Sequence, residues 1–370
     1  MSVPVRLDGS SLTRTQLVAI AKQGAKIELD SAQLAKVQRT ADFLAEQVQR
    51  GEPIYGVTTG FGSNADKLLG AHRARDELPG GNPADPDKIR RDGTLLEELQ
   101  HNLVVTHAVC VGRPLAVEVV RAMLAIRVNT LMRGHSGIRA ATLQSLAELL
   151  NRDVIPVIPE KGSVGASGDL APLSHLAIVL LGEGEAFYQG ERLHGGEALK
   201  RAGLTPVRLS FKEGLALNNG TAQMLATGAL ACDALEKLLA TADLAAAMTL
   251  DAFAGRKSAF KAEVHALRPH PGQVQTAANL RGLLEGSTLA DIPYHLVPRF
   301  RTWLAESWSD PADQSHRFDI GWDYVPASQR HGKEAFYARF LPFRAARSTS
   351  RRMRIACAAF RRCTAPCAMR

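Results

Sequence analysis

The chain has 370 residues, 45% hydrophobic and 22% charged, which is enough apolar content for a large core and excludes global disorder. Its net charge of +8 suggests a phosphate-binding surface, yet Arg344–Arg370 hold eight Arg and no Lys, Asp or Glu, leaving 37 basic and 37 acidic residues in 1–343. The body therefore has no basic bias, and neither nucleic acid nor a membrane is expected as a partner.

In chain order, Val5–Leu7 and Lys26–Leu29 read as a short strand pair with a helix between them, and Ser31–Gln49 as a helix with apolar residues at helical spacing. An extended loop is expected from Tyr55 to about Thr94, where Pro79, Gly80, Gly81, Pro83 and Pro86 fall. Helices are expected over Leu95–Val111, Ala116–Arg133 and Arg139–Asn151, then near 170–181, 195–202 and 213–250, with shorter ones at 258–267 and 273–284. Strand signals are few, so the expected fold class is mainly α, a bundle of long helices with a small N-terminal α+β portion. Long apolar helices with only 5% aromatic residues suit burial against further subunits. Met1–Thr15 carries no signal-peptide-like apolar run. His175–Gly182 is too short for a bilayer, and Leu230–Leu250 is broken by Asp233, Glu236, Lys237 and Asp243. A reduced, cytoplasmic location is expected.

The segment Gly162-Ser163-Val164-Gly165-Ala166-Ser167-Gly168-Asp169-Leu170-Ala171-Pro172-Leu173 concentrates small residues before a helix whose first turn suits Pro172. A phosphate-binding turn is the plain alternative. No Gly-Lys-Ser/Thr follows, and no strand-led alternating α/β chain surrounds it, so neither the Walker nor the dinucleotide pattern applies.

The whole string resembles the signature of the histidine/phenylalanine/tyrosine ammonia-lyase family. Three further places match. Tyr55-Gly56-Val57-Thr58-Thr59-Gly60-Phe61-Gly62 resembles the loop of the catalytic tyrosine, Leu99 to His107 the substrate-selecting helix, and Glu213 to Thr221 the segment of an active-site asparagine. The resemblance covers about residues 8–285. It implies that Ala166, Ser167 and Gly168 cyclise to a 4-methylidene-imidazol-5-one (MIO) group, with Asp169 supporting ring formation and no external cofactor or metal. The small side chains suit this, since the Gly168 nitrogen must reach the Ala166 carbonyl and Ser167 must lose water. The resemblance further implies that the carbon from Ser167 captures the substrate amine and that Tyr55 removes the β-proton. A tyrosine is a weak base at neutral pH, so this role needs a lowered pKa, which helix N-termini converging on the site would supply because they favour negative charge. Gly60, Asn102, Leu103, His107 and Asn219 are the implied substrate-binding residues.

Each has a plainer reading. Tyr55 packs a loop, Asn219 caps a helix before Thr221, Asp169 is a first-turn acid, and His107 is a satisfied, partly buried histidine. The Thr106-His107 pair leans toward histidine as substrate, giving urocanate and ammonia. Tyrosine or phenylalanine as substrate, or a 2,3-aminomutase, stays open. The resemblance implies a homotetramer.

Three regions follow: 1–285 as the N-terminal and partial central helical part, 286–343 as a family-variable insert, and 344–370 as a basic Arg- and Cys-rich tail, expected to be disordered. The tail lacks the family's Tyr-Ser-Leu-Arg and Asn-Asp-Asn-Pro segments, and the spacing of Cys357, Cys363 and Cys367 matches no common zinc pattern. Codons can be chosen for 345–370 that, read in another frame, contain Tyr-Ser-Leu-Arg, with Met353 fixed by its single codon. A frameshift near Arg344 and a C-terminally truncated lyase are therefore expected. An inactive helical remnant or interaction protein is the alternative of another class, and a basic-tailed nucleic-acid binder a third.

Overall fold

A computed structural model describes residues 3–50, 52–60, 62, 86–165, 167–252, 255–287 and 290, with the backbone alone over 86–96. Ala166, the tail 344–370, and the insert 286–343 save for 286, 287 and 290 lie outside the described residues. The chain divides into two compact units, Met1–Asp233 and Ala234–Arg370.

Unit one opens with β1 (Val5–Leu7), α1 (Arg14–Gln23) and β2 (Ile27–Leu29); β1 and β2 pair in parallel, Val5 against Ile27. A reciprocal Thr13–Gln16 capping box starts α1, and Gly24 ends it at φ 69. Asp30 Oδ1 accepts from Gln33 N (2.8 Å) and so starts α2 (Ser31–Arg50). These elements match the expected strand–helix–strand–helix order.

Next comes α3 (Pro86–His107). The extended loop expected to about Thr94 is corrected here, because Pro86 opens a helix, a position where its missing N–H costs nothing. The helix expected to reach Val111 stops at His107. Cys110 N instead donates to His175 Nε2 (3.0 Å), and β3 (Val111–Pro114) pairs antiparallel with a later strand.

The core centres on α4 (Val117–Leu131), where Val120–Val128 are all buried, and on α5 (Ala140–Asn151), where Leu143, Leu146, Leu149 and Leu150 are buried. Each such Leu contributes about 1.5–3 kcal/mol by leaving water. Then follow β4 (Ile155–Pro156), β5 (Pro159–Lys161, the partner of β3), α6 (Leu170–Leu180), β6 (Glu185–Tyr188), β7 (Glu191–His194) and α7 (Gly195–Arg201). A three-stranded antiparallel sheet has the order β4-β6-β7.

The single helix expected over 213–250 is two: α8 (Glu213–Asn218) and α9 (Ala222–Ala252). The buried Arg127 guanidinium takes the carbonyls of Ala216 and Asn219, and Asn219 adopts an extended φ/ψ of −97/107. Those carbonyls then cannot serve a continuous helix.

In unit two, Lys257–Phe260 form a 3₁₀ turn, followed by α10 (Ala262–Ala266) and α11 (Pro271–Leu283). Ala247, Leu250, Phe260, Ala277, Leu280 and Leu284 form its small core. Among the described residues no helix is long and apolar enough to cross a membrane.

Candidate active site

The small-residue loop runs from β5 to the N-terminus of α6. At Gly168 φ is +106, and a Cβ there would collide with the Gly220 carbonyl oxygen. Only glycine fits this position without moving the 219–221 turn. The amide of Asp169 donates to the same Gly220 carbonyl (2.6 Å), so the loop and the break between α8 and α9 are stitched together.

Asp169 is buried, with its carboxylate fully engaged. Oδ1 accepts from Ser163 Oγ (2.7 Å) and Oδ2 from Met224 N (2.8 Å), in the first turn of α9. Asp169 makes no side-chain cap to its own helix α6. It caps α9 instead and ties the two ends of the loop to one carboxylate. Asp169 is thus not a first-turn acid of its own helix; it stabilises the start of a neighbouring one and holds the loop.

Asn219 is the C-cap of α8, with its carbonyl on Arg127 (2.8 Å) and its side chain exposed. It does not cap the start of α9. Arg127 lies in the mostly apolar helix α4 with 3% exposure, and burial pushes its pKa down to about 10. Its Nε has no partner among the described residues. A buried guanidinium against carbonyls at the end of a helix is favourably placed.

Tyr55 is 52% exposed, and its hydroxyl accepts from Gly62 N (3.2 Å). The turn behind it is dry. Gly56, Val57, Thr58, Thr59 and Gly60 are buried, with Thr58 Oγ1 donating to Glu52 O (2.7 Å) and Thr59 Oγ1 to Gly60 O (3.2 Å).

On α3, Leu103 is buried, Asn102 exposed and His107 partly buried. His107 Nδ1 donates to Leu103 O (2.8 Å), which leaves Nε2 as an acceptor. Two residues before Asn102, the fully buried Gln100 bonds both the tyrosine turn (Gly56 O, 3.2 Å) and α8 (Gly214 N, 3.1 Å).

The structure thus links Gly168, Asp169 and Asn219 through Gly220 and Arg127, and links the Tyr55 turn to α8 through Gln100. Ser167, Asn102 and Asn219 are exposed, and the described residues do not enclose them. Sequence reasoning gave no role to Gln100, Arg127 or the Arg139–Glu213 pair that fixes the start of α8. Arg127 had a visible signal, a charge within the apolar run of α4. Gln100 had none beyond its place in the Leu99–His107 string.

The family model for aromatic amino acid lyases matches residues 12–312. A histidine ammonia-lyase of Symbiobacterium thermophilum is 46% identical over 285 residues, 77% of this chain and 52% of the relative, and one of Gloeobacter violaceus is 49% identical over 283 residues. Among solved structures, tyrosine aminomutase from Streptomyces globisporus aligns with a TM-score of 0.71 and 36% identity, covering 83% of this chain and 54% of that one. Histidine ammonia-lyase from Trypanosoma cruzi aligns with a TM-score of 0.65 and 38% identity, covering 75% and 50%. The chain spans about half the length of the curated relatives it matches. With the family model covering most of its length and close relatives agreeing, this chain belongs to the aromatic amino acid lyase family and has its mainly α fold.

Proposed function

We propose that the chain carries the MIO-forming half of a cytoplasmic histidine ammonia-lyase, which converts L-histidine to urocanate and ammonia as a homotetramer. The observation that carries this reading is the docking of the Gly162–Gly168 loop through the buried Asp169 onto Gly220. A loop so short, held at both ends, keeps small residues close to one another, as backbone condensation requires. The relatives named histidine ammonia-lyase support histidine as substrate, and His107 with Nε2 open as an acceptor suits an imidazole N–H.

Ala166, Ser167 and Gly168 would form the MIO group, which supplies an electrophilic carbon for the substrate amine. The protein's own side chains do the rest. Tyr55 takes the β-proton at its phenol oxygen, held outward by the buried turn. Asn219 holds the substrate amine or the prosthetic ring, with its backbone fixed by Arg127. Gly60, Asn102 and Leu103 line the substrate. The exposure of Tyr55, Asn102, Ser167 and Asn219 among the described residues supports a site completed by further copies and by the remainder of a full-length lyase.

A second reading, a 2,3-aminomutase, is favoured by the similarity to tyrosine aminomutase. We read residues 344–370 as out of frame, a reading supported by their confinement of the excess charge. The test is an ultraviolet assay with histidine, tyrosine and phenylalanine, on this chain and on a frame-restored version. Urocanate from histidine in the restored protein supports the reading. A conjugated acid from tyrosine or phenylalanine alone, or β-amino acid product, overturns it.

A further inference from the structure

We propose that Gln100 is a positioning residue that locks the Tyr55 turn and the Asn219 helix to each other, so that the two arms of the site keep one register. The proposal rests on the reading of Tyr55 and Asn219 as site residues given above.

The helix that ends at Asn219, α8, has six residues. A helix this short is not stable alone, and its first-turn amides need acceptors from outside. Its own N-cap residue is Lys212, at φ 74, with no side-chain cap bond. An ammonium is a donor only and cannot serve there. Gln100 Oε1, reaching across from α3, accepts from Gly214 N (3.1 Å) and Leu215 N (3.4 Å). These are the amides that a Ser or Asp N-cap would normally satisfy.

The other end of the same amide turns the opposite way. Gln100 Nε2 donates to the carbonyl of Gly56, the residue after Tyr55 (3.2 Å). The side chain is fully buried, so neither bond is replaceable by water. The backbones are equally close, since a Cβ at Gly214 would lie 2.6 Å from the Gln100 carbonyl oxygen.

The chemistry demands a donor and an acceptor on one planar fork of this length. Asn is a methylene too short, ionised Glu lacks the donor, and Met has neither. Moving Gln100 moves α8, and with it Asn219 and the Gly220 carbonyl that bonds Asp169. The residue therefore acts on the reacting groups through both elements without touching them.

The test is hydrogen–deuterium exchange of the full chain at pH 8, read in peptides covering 52–60 and 210–217. Gln100→Met is expected to raise exchange in both peptides by about tenfold or more. Gln100→Glu keeps the acceptor and is expected to protect 210–217 while releasing 52–60. In protein that turns over, Gln100→Glu should lower kcat about tenfold with KM little changed, whereas a purely structural loss would lower the active fraction and leave each active site's rate alone. If Gln100→Met leaves either peptide at the wild-type rate, or Gln100→Glu leaves 52–60 protected, the coupling does not exist. Where Gln100→Met fails to fold, the Gln100→Glu result decides. Wild-type protein that shows the coupling but no cyclised 162–168 peptide would retire the lyase reading and leave the coupling standing.

Discussion

At the scale of single residues, the site depends on groups that allow no substitute. Gly168 combines a φ of +106 with a backbone carbonyl where a Cβ would stand, so Gly168→Ala is expected to cost about 2–4 kcal/mol in denaturant unfolding and to leave the 162–168 segment uncyclised. Wild-type stability in that variant would contradict the packing. His101, on α3, bonds Glu183 (2.6 Å), and that partner raises its pKa. An unfolded histidine titrates near ~6.5. The folded pKa lies higher, so the pair's contribution is complete below ~6.5 and fades as pH rises through the raised value. Both side chains are about half exposed, so the contribution stays below ~1 kcal/mol. His101→Gln should therefore destabilise at pH 6 and have almost no effect at pH 9, measured by thermal unfolding. Tyr55, Ser167 and Asn219 stood out in the sequence because they sit in strings of tiny or turn-forming residues. Gln100 and Arg127 did not, because their work is done on backbone groups brought close only by the fold.

At the scale of elements, α8 is the piece that the rest of the unit holds still. Besides Gln100 and Arg127, the fully buried Glu213 accepts from Arg139 N (3.0 Å), Arg139 Nε (3.1 Å) and Ser210 N (2.8 Å). Glu213→Ala leaves those donors without a buried acceptor and is expected to cost about 1–3 kcal/mol. In active protein it should also lower kcat, because α8 carries Asn219. A variant with unchanged stability would mean that water replaces the carboxylate. The long helices were readable from their apolar spacing, and α4, α5 and α6 lie close to their expected spans. The short strands were not. β3, β4 and β5 have two to four residues, too few for an alternating pattern, and exist because their partners pair with them. The break at 219–221 was hidden because α8 and α9 share one helical pattern, and a remote arginine divides them.

At the scale of the whole molecule, α9 runs 31 residues with Leu238 62% and Met248 65% exposed. Apolar surface left open to water costs free energy that contact with another chain or segment would recover. The chain is expected to self-associate with rising concentration in light scattering, and Leu238→Lys with Met248→Lys should weaken that association. A monomer at every concentration would remove this support for the tetramer. Family and mainly α class were legible from the motifs, since four separated strings fall in the right order. Which groups would enclose a substrate was not legible, because Ser167, Asn102 and Asn219 are exposed among the described residues and a motif names residues without their surroundings. Ring closure in the loop before α6 is read by mass spectrometry of the proteolytic peptide containing Gly162–Asp169. A mass lower than the sequence value by two waters is expected in folded wild-type protein, and the full sequence mass in Ser167→Ala. An unshifted mass in folded, frame-restored protein would contradict ring closure.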